Sequence, residues 1–275
     1  MPSFSQNDFS NIQIKAVHAG GVVKMFSAEN GFGGGNVAAS TGPDGILLVD
    51  NMYEAVTPKL IAALKVFSDS NIRFVINTHF HSDHVQGNSV LSGSSAIIAH
   101  ENVLKRLKAK NNFKKSSLPQ ITFSEKMNLH FNGEDILLFH LPNGHTDGDV
   151  FVYFTSSKVI HLGDTYFNGM FPAVYKEGGG DILQMIENLE KILRDIPEDV
   201  SVIPGHGKLA TKKELSAYVE MLKETTSLVT IAIKQGKTLE QLEEKNFLNK
   251  YDELGDGGAQ TTAQYLAMLF KLLSP

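Results

Sequence analysis

The chain has 275 residues, 42% hydrophobic and 20% charged, with a formal net charge of −5. That balance suits a chain with a sizeable buried core in one or two domains and excludes wholesale disorder, coiled coil and collagen. It also argues against a broad nucleic-acid groove, which needs a net basic surface. There is no cysteine, so disulfide scaffolds, thiolate metal sites, iron–sulfur clusters and cysteine nucleophiles are out. No run reaches the roughly 20 apolar residues of a membrane span. The opening Met1-Pro2-Ser3-Phe4-Ser5-Gln6-Asn7-Asp8 lacks the basic and apolar regions of a signal peptide. As written the chain reads as cytoplasmic, or as periplasmic or secreted if a leader once preceded Met1.

The first half reads as short strands between glycine turns. Residues 12–17, 22–26, 37–40 and 46–49 are candidates, punctuated by Gly20-Gly21, the run from Gly31 to Gly35, and Pro43-Asp44-Gly45. Thr57-Pro58 opens a helix with Thr57 as N-cap, and Leu60, Ile61, Leu64 and Phe67 share one face. Residues 73–77 and 96–99 read as buried strands, and a basic helix follows over about 101–110. The lysine-rich stretch 108–120 is a surface loop. Strands are expected at 136–141, 150–155, 159–162 and 201–203. A helix begins after Gly178-Gly179-Gly180 with Asp181 as N-cap and runs through Leu183, Ile186, Leu189 and Ile192. The remainder is mainly helical, about 212–235 and 259–273. Nothing reads as a linker, so residues 1–275 form one domain of two similar halves with layered α/β architecture.

The chemistry is concentrated in Asn77-Thr78-His79-Phe80-His81-Ser82-Asp83-His84, where three histidines and an aspartate directly follow a buried strand. Neutral imidazole and carboxylate are favoured zinc ligands, and zinc usually takes four. In extended backbone His79 and His81 project to the same side. Asp83 and His84, being adjacent, can serve a neighbouring ion. Strand ends of this kind are where open α/β sheets bind ligands. The alternative H-E-x-x-H motif is absent.

The His-x-His-x-Asp-His spacing of His79, His81, Asp83 and His84 resembles that of the metallo-β-lactamase superfamily. The match continues at His145 in Gly144-His145-Thr146-Asp147-Gly148-Asp149, Asp164 in Leu162-Gly163-Asp164-Thr165, and His206 in Pro204-Gly205-His206-Gly207. The resemblance implies a four-layer αββα sandwich with a two-metal site along one sheet edge. His79, His81 and His145 would hold one ion, and Asp83, His84 and His206 the other, with Asp164 bridging. Two Zn2+ per chain are expected, with iron or manganese as alternative occupants. Asp147 and Asp149 read as turn residues or partners of ligands, and His18, His100, His130, His140 and His161 as structural or surface groups.

Two ions about 3.5–4 Å apart bring the pKa of a shared water toward neutrality, and Asp83 would orient that water or relay its proton. The implied activity is hydrolysis of an ester, lactone, thioester or amide bond in a small-molecule substrate, without nucleic-acid or membrane partners. The common β-lactamases resembled here carry cysteine at the position of Asp164 and lysine three residues on. Phe167 stands there, which leaves at most weak β-lactam turnover. The aspartate instead resembles glyoxalase II and the lactonases, but the Cys-Gly-Arg segment of glyoxalase II is missing. Phe32 in the glycine run, with Tyr166, Phe167 and Phe171 after Asp164, is a candidate lining for an apolar substrate, as is Tyr175 for any exposed aromatic contact. Two other readings stay open: a mononuclear iron oxygenase resembling persulfide dioxygenase, and a metal-binding module without turnover.

Overall fold

The computed structural model describes residues 8–111 and 113–274. Met1–Asn7, read above for its lack of a leader, lies outside the described residues. The N-terminal sheet runs in the order β1 (Gln13–Gly20), β2 (Val23–Glu29), β3 (Val37–Gly42), β4 (Gly45–Val49), β5 (Ile72–Ile76), β6 (Ala96–His100) and β7 (Ile121–Phe123). The second sheet contains β8 (Lys126–Phe131), β9 (Glu134–His140), β10 (Val150–Phe154), β11 (Val159–His161), β12 (Ser201–Ile203) and β13 (Ala210–Thr211), arranged in the reverse order. The helices are α1 (Thr57–Leu64), α2 (Ser82–Val85), α3 (Asn88–Leu91), α4 (Glu101–Lys108), α5 (Ile182–Asp195), α6 (Lys212–Lys234), α7 (Leu239–Glu243), α8 (Asp252–Gly255) and α9 (Thr262–Leu273).

The central strands, such as β4 and β10, are apolar on both faces because each sheet is covered twice. Along β4, Leu47 and Val49 pack toward the second sheet, while Ile46 and Leu48 pack outward with Leu60 and Leu64 of α1. In β10, Val150, Val152 and Phe154 meet that inter-sheet core, and Phe151 turns outward to Met185, Leu189 and Leu222 of α5 and α6. The period of two therefore sorts every residue into one of two apolar layers. Each fully buried side chain of this kind contributes roughly 1.5–3 kcal/mol by leaving water. The result is the αββα sandwich expected.

Several local expectations need correction. Val56, not Thr57, caps α1. Thr57 is already helical, and its hydroxyl donates to Asn51 O and Tyr53 O, each at 2.9 Å, which ties the helix to the loop after β4. Phe67 lies beyond α1 and is largely exposed, with its edge on Phe26. Asp181 does cap α5, accepting from Leu183 N at 2.8 Å and Gln184 N at 3.2 Å, but Leu183 itself faces solvent. β7 and β8 were not expected. In β8 only Met127, Leu129 and Phe131 point inward, alternating with Lys126, Asn128 and His130, so it offers no continuous apolar run to read.

Among the described residues no helix is long and apolar enough to cross a membrane. The parallel pairs β4–β5 and β11–β12 end at the same edge of the sandwich. The segments leaving β5, β11 and β12 carry six of the seven candidate ligands, and the loop after β9 carries His145.

Candidate metal centre

At the end of β5 the backbone stays pinned to the neighbouring strand, since Asn77 N–H donates to Ile98 O at 2.9 Å. The next residues turn inward, and His81 becomes the N-cap of α2 with extended backbone. Two groups of side chains gather there. His79, His81, His145 and Asp164 form one, and Asp83, His84 and His206 the other, with the ligand-type atoms of each group within 4.8 Å of one another. In the first, His81 Nδ1 lies 3.1 Å from His79 Nε2 and 2.8 Å from His145 Nε2. In the second, Asp83 Oδ2 lies 3.4 Å from His84 Nε2 and 3.3 Å from His206 Nε2.

Asp164 stands between them. Its Oδ2 is 3.6 Å from His79 Nε2 and 3.5 Å from His145 Nε2, whereas Oδ1 is 3.0 Å from His84 Nε2 and 3.4 Å from His206 Nε2. All seven residues singled out in the sequence thus converge. Asp164 Oδ1 and His84 Nε2 are buried and make no hydrogen bond despite their proximity. Orphaned lone pairs of this kind are costly without a partner.

The orientation of each imidazole is set by its other nitrogen. His84 Nδ1 donates to Asp50 Oδ2 at 2.7 Å, and Thr78 Oγ1 donates to the same oxygen at 2.7 Å. The Thr78 hydroxyl in turn accepts from His79 Nδ1 at 3.0 Å. One buried carboxylate therefore fixes the ring orientation of a histidine in each group and leaves both Nε2 atoms facing inward. His145 Nδ1 donates to Ala173 O at 2.5 Å, and its loop closes on Asp149, which accepts from His145 N at 2.7 Å and Thr146 N at 3.0 Å. Asp147 faces Arg106 instead. Changing Asp50 to Asn is expected to weaken metal binding about 10–100-fold. Competition with a chromophoric chelator at constant pH measures it.

Two glycines are required by space. A Cβ on Gly205 would lie 2.0 Å from Asp164 Oδ1, and one on Gly35 would lie 2.1 Å from the His84 ring. The His206 loop is held from the opposite sheet by Asn36, whose Nδ2 donates to Pro204 O and Gly207 O, both at 2.9 Å. Asn36 O accepts from the buried His161 ring at 3.1 Å, and His161 Nδ1 accepts from Gly163 N at 3.1 Å. His161 is thus a structural histidine, as expected. Neither Asp50 nor Asn36 was singled out in the sequence. A lone carboxylate at the end of an apolar strand was the one available signal for Asp50. Asn36 carried none, because its partners lie 125 to 171 residues away.

Electrostatics separates the two groups. Burial, reinforced by the neighbouring histidines, holds His79 well below the ordinary histidine value and brings His81 down to about 3. Burial acts the same way on His84 and His206, but the surrounding carboxylates outweigh it. Asp164, Asp83 and Asp50 lift His84 well above the usual value, and Asp164 with Asp83 lifts His206 to about 9. Burial pushes Asp83 and Asp164 upward, yet the His84 and His206 charges overcome it and hold both well below the carboxylate range.

On the open side, Phe32 is half exposed and stacks on the His206 ring at 5.4 Å between centroids. Phe167 stacks at 5.3 Å on the same ring and is nearly buried, so its accessible area is small. Tyr166 and Phe171 do not line a pocket. Both are fully buried in the helical core, Tyr166 against Tyr218 and Phe171 against Tyr265. Tyr175 is exposed.

The sequence profile of the metallo-beta-lactamase superfamily matches residues 30–206. The chain belongs to that superfamily. A hydroxyacylglutathione hydrolase of Pelagibacter ubique is 28% identical over 149 residues, covering 52% of this chain and 56% of that protein. The match therefore spans little more than half the relative's length. A metallo-beta-lactamase type 2 of Bacillus cereus is 23% identical over 180 residues, covering 65% of this chain and 69% of the relative. Among solved structures, a metallo-beta-lactamase from Pontibacter korlensis superposes with a TM-score of 0.66 at 19% identity, over 77% of this chain and 99% of that one. The DIM-1 metallo-beta-lactamase gives 0.66 at 20% identity, over 78% and 99%. At that identity the superpositions speak for the fold.

Proposed function

We propose that this protein is a zinc-dependent hydrolase that holds two ions and cleaves an ester, lactone, thioester or amide bond in a small molecule. One observation carries the reading: Asp164 turns one carboxylate oxygen toward each of two imidazole groups. The donor set is nitrogen and carboxylate oxygen throughout, which suits zinc, and the orphaned His84 Nε2 and Asp164 Oδ1 are atoms a cation would satisfy. His79, His81 and His145 would hold one ion, Asp83, His84 and His206 the other, and Asp164 both. What bound zinc supplies is Lewis acidity, which polarises a carbonyl and acidifies water.

The chain's own groups supply the rest. Asp83, ionised and 15% exposed, is the carboxylate of its group with access to incoming molecules, and it orients water and accepts a proton. Phe32 covers an apolar portion of the substrate from the His206 side. The relatives named for hydroxyacylglutathione and β-lactam hydrolysis support acyl-bond chemistry. Phe167 in place of a lysine weighs against β-lactams, and the absence of a Cys-Gly-Arg segment weighs against a glutathione thioester. A simple ester or lactone fits best.

The test is metal analysis with a substrate panel of p-nitrophenyl esters, lactones, thioesters, nitrocefin and phosphodiesters. About two zinc ions per chain and chelator-sensitive ester or lactone hydrolysis are expected. One iron per chain with oxygen uptake would overturn the reading in favour of an oxygenase. Full zinc occupancy without turnover would favour a binding module.

A further inference from the structure

One polar face of the α4 segment carries Asn102, Arg106 and, just past the helix end, Lys110, spaced four residues apart. The first two are committed to neighbouring loops. Asn102 Nδ2 donates to Asp147 O at 2.7 Å, Arg106 grips the Asp147 carboxylate through Nε at 3.1 Å and Nη2 at 2.8 Å, and Arg106 Nη1 donates to Glu177 O at 2.8 Å. Lys110 is different. Its Nζ donates to Phe80 O at 2.9 Å, the carbonyl between His79 and His81. It also lies 5.2 Å from the centre of the Phe80 ring, which itself sits 4.7 Å from the His81 ring.

Among the described residues, no carboxylate lies within ion-pairing distance of that ammonium. An ammonium has three donors, and this one is half-buried with a single carbonyl acceptor. Burial lowers its pKa from the ordinary lysine value, and the charge of Asp83 opposes the shift without cancelling it. A carbonyl dipole and an aromatic face hold such a cation in place but leave its charge without a counter-ion. The charge stands on the carbonyl of Phe80, the residue between the candidate ligands His79 and His81.

We propose that Lys110 is a specificity residue that binds an anionic, carboxylate-type group of the substrate beside His79 and His81. The inference rests on the hydrolase reading and narrows it to acidic esters or lactones. The Phe80 O contact fixes where the ammonium sits, and its remaining N–H donors meet the anion.

The zinc-loaded full chain is assayed with p-nitrophenyl acetate, which is neutral, and p-nitrophenyl hydrogen glutarate, which carries a carboxylate. In Lys110→Met the ratio of kcat/KM for the glutarate ester to that for the acetate ester is expected to fall about tenfold, through KM, and Lys110→Arg to recover most of it. A residue that merely tethers Phe80 would lower both substrates alike. An unchanged ratio overturns the proposal, whether both activities fall or neither does. If the wild-type chain hydrolyses neither ester, the substrate panel decides the hydrolase reading and Lys110 is judged by binding alone. Glutarate is then titrated into metal-free protein carrying 15N-labelled lysine. A saturable shift of one Nζ signal that is absent in Lys110→Met supports the anion site, and no shift overturns it.

Discussion

Replacing Asp164 by Asn should take the zinc content from about two ions per chain to about one and reduce kcat/KM roughly 10³-fold. The substitution keeps the shape of the side chain, so the tight approach of Gly205, where a Cβ would come within 2.0 Å of Oδ1, is undisturbed. What changes is the chemistry of one terminal atom. In the native chain both oxygens present lone pairs, Oδ1 toward His84 and His206 and Oδ2 toward His79 and His145. An amide keeps one such atom and puts an N–H donor in place of the other, and that donor cannot ligate a cation. One group must then make do with the remainder of its ligands. The group left without Asp164 also loses the anion that offsets the positive charge brought by metal. Metal analysis after dialysis, with kcat/KM on the best substrate of the panel, provides the measurement. Two retained ions with near-native turnover would show that Asp164 does not join the groups.

How much of this could be read from the sequence varied with the range of the interactions involved. β4, β5, β6, β10, β11 and β12 were legible because each is a largely apolar run in the interior of its sheet, a signal contained in three to five consecutive residues. His79, His81, Asp83 and His84 were legible because four ligand-type side chains in six positions seldom serve the core alone. His145, Asp164 and His206 were different: each alone looks like a turn residue, and the family resemblance supplied the link among them. The structure brings them together from three separate loops. Asp50 and Asn36 went unread because their importance lies in partners distant in the chain, Thr78, His84, Pro204 and Gly207. The aromatic residues after Asp164 were read only in part. That segment leaves the sheet edge as a 3₁₀ turn over Gly163–Thr165, which has no two-residue period to sort Tyr166 from Phe167. Tyr166 turns to Tyr218 of α6, while Phe167 turns to His206. Packing against helices that lie some fifty residues downstream made that choice.

The opposite shifts of the two groups lead to a second large effect, in which the ions respond differently to pH. A metal takes imidazole only in its neutral form, so protons compete wherever the metal-free histidine is charged. His79 and His81 are already neutral at pH 7, since burial has brought them down. The group containing His84 and His206 is the reverse, with His206 titrating near 9 and His84 raised as well. At pH 7 a site with a pKa of about 9 is protonated in all but roughly 1% of molecules. Lowering the pH from 9 to 7 should therefore weaken the ion on that side about 50-fold through His206 alone. His79 and His81 contribute no such dependence on the other side. The same shifts set the stability of the metal-free chain. A raised histidine contributes stability fully present below its unfolded value of about 6.5 and lost as pH rises through about 9. The depressed Asp83 and Asp164 contribute stability present above about 3.9 and lost as pH falls through their lower folded values. Metal-free protein should accordingly lose thermal stability between pH 6.5 and 9, and bound zinc should remove that loss because it replaces the protons. Calorimetric titration of zinc in buffers of different ionisation enthalpy counts the protons released at each step. Equal proton release for both ions would mean that the carboxylates around His84 and His206 do not distinguish the two groups in the way their distances require.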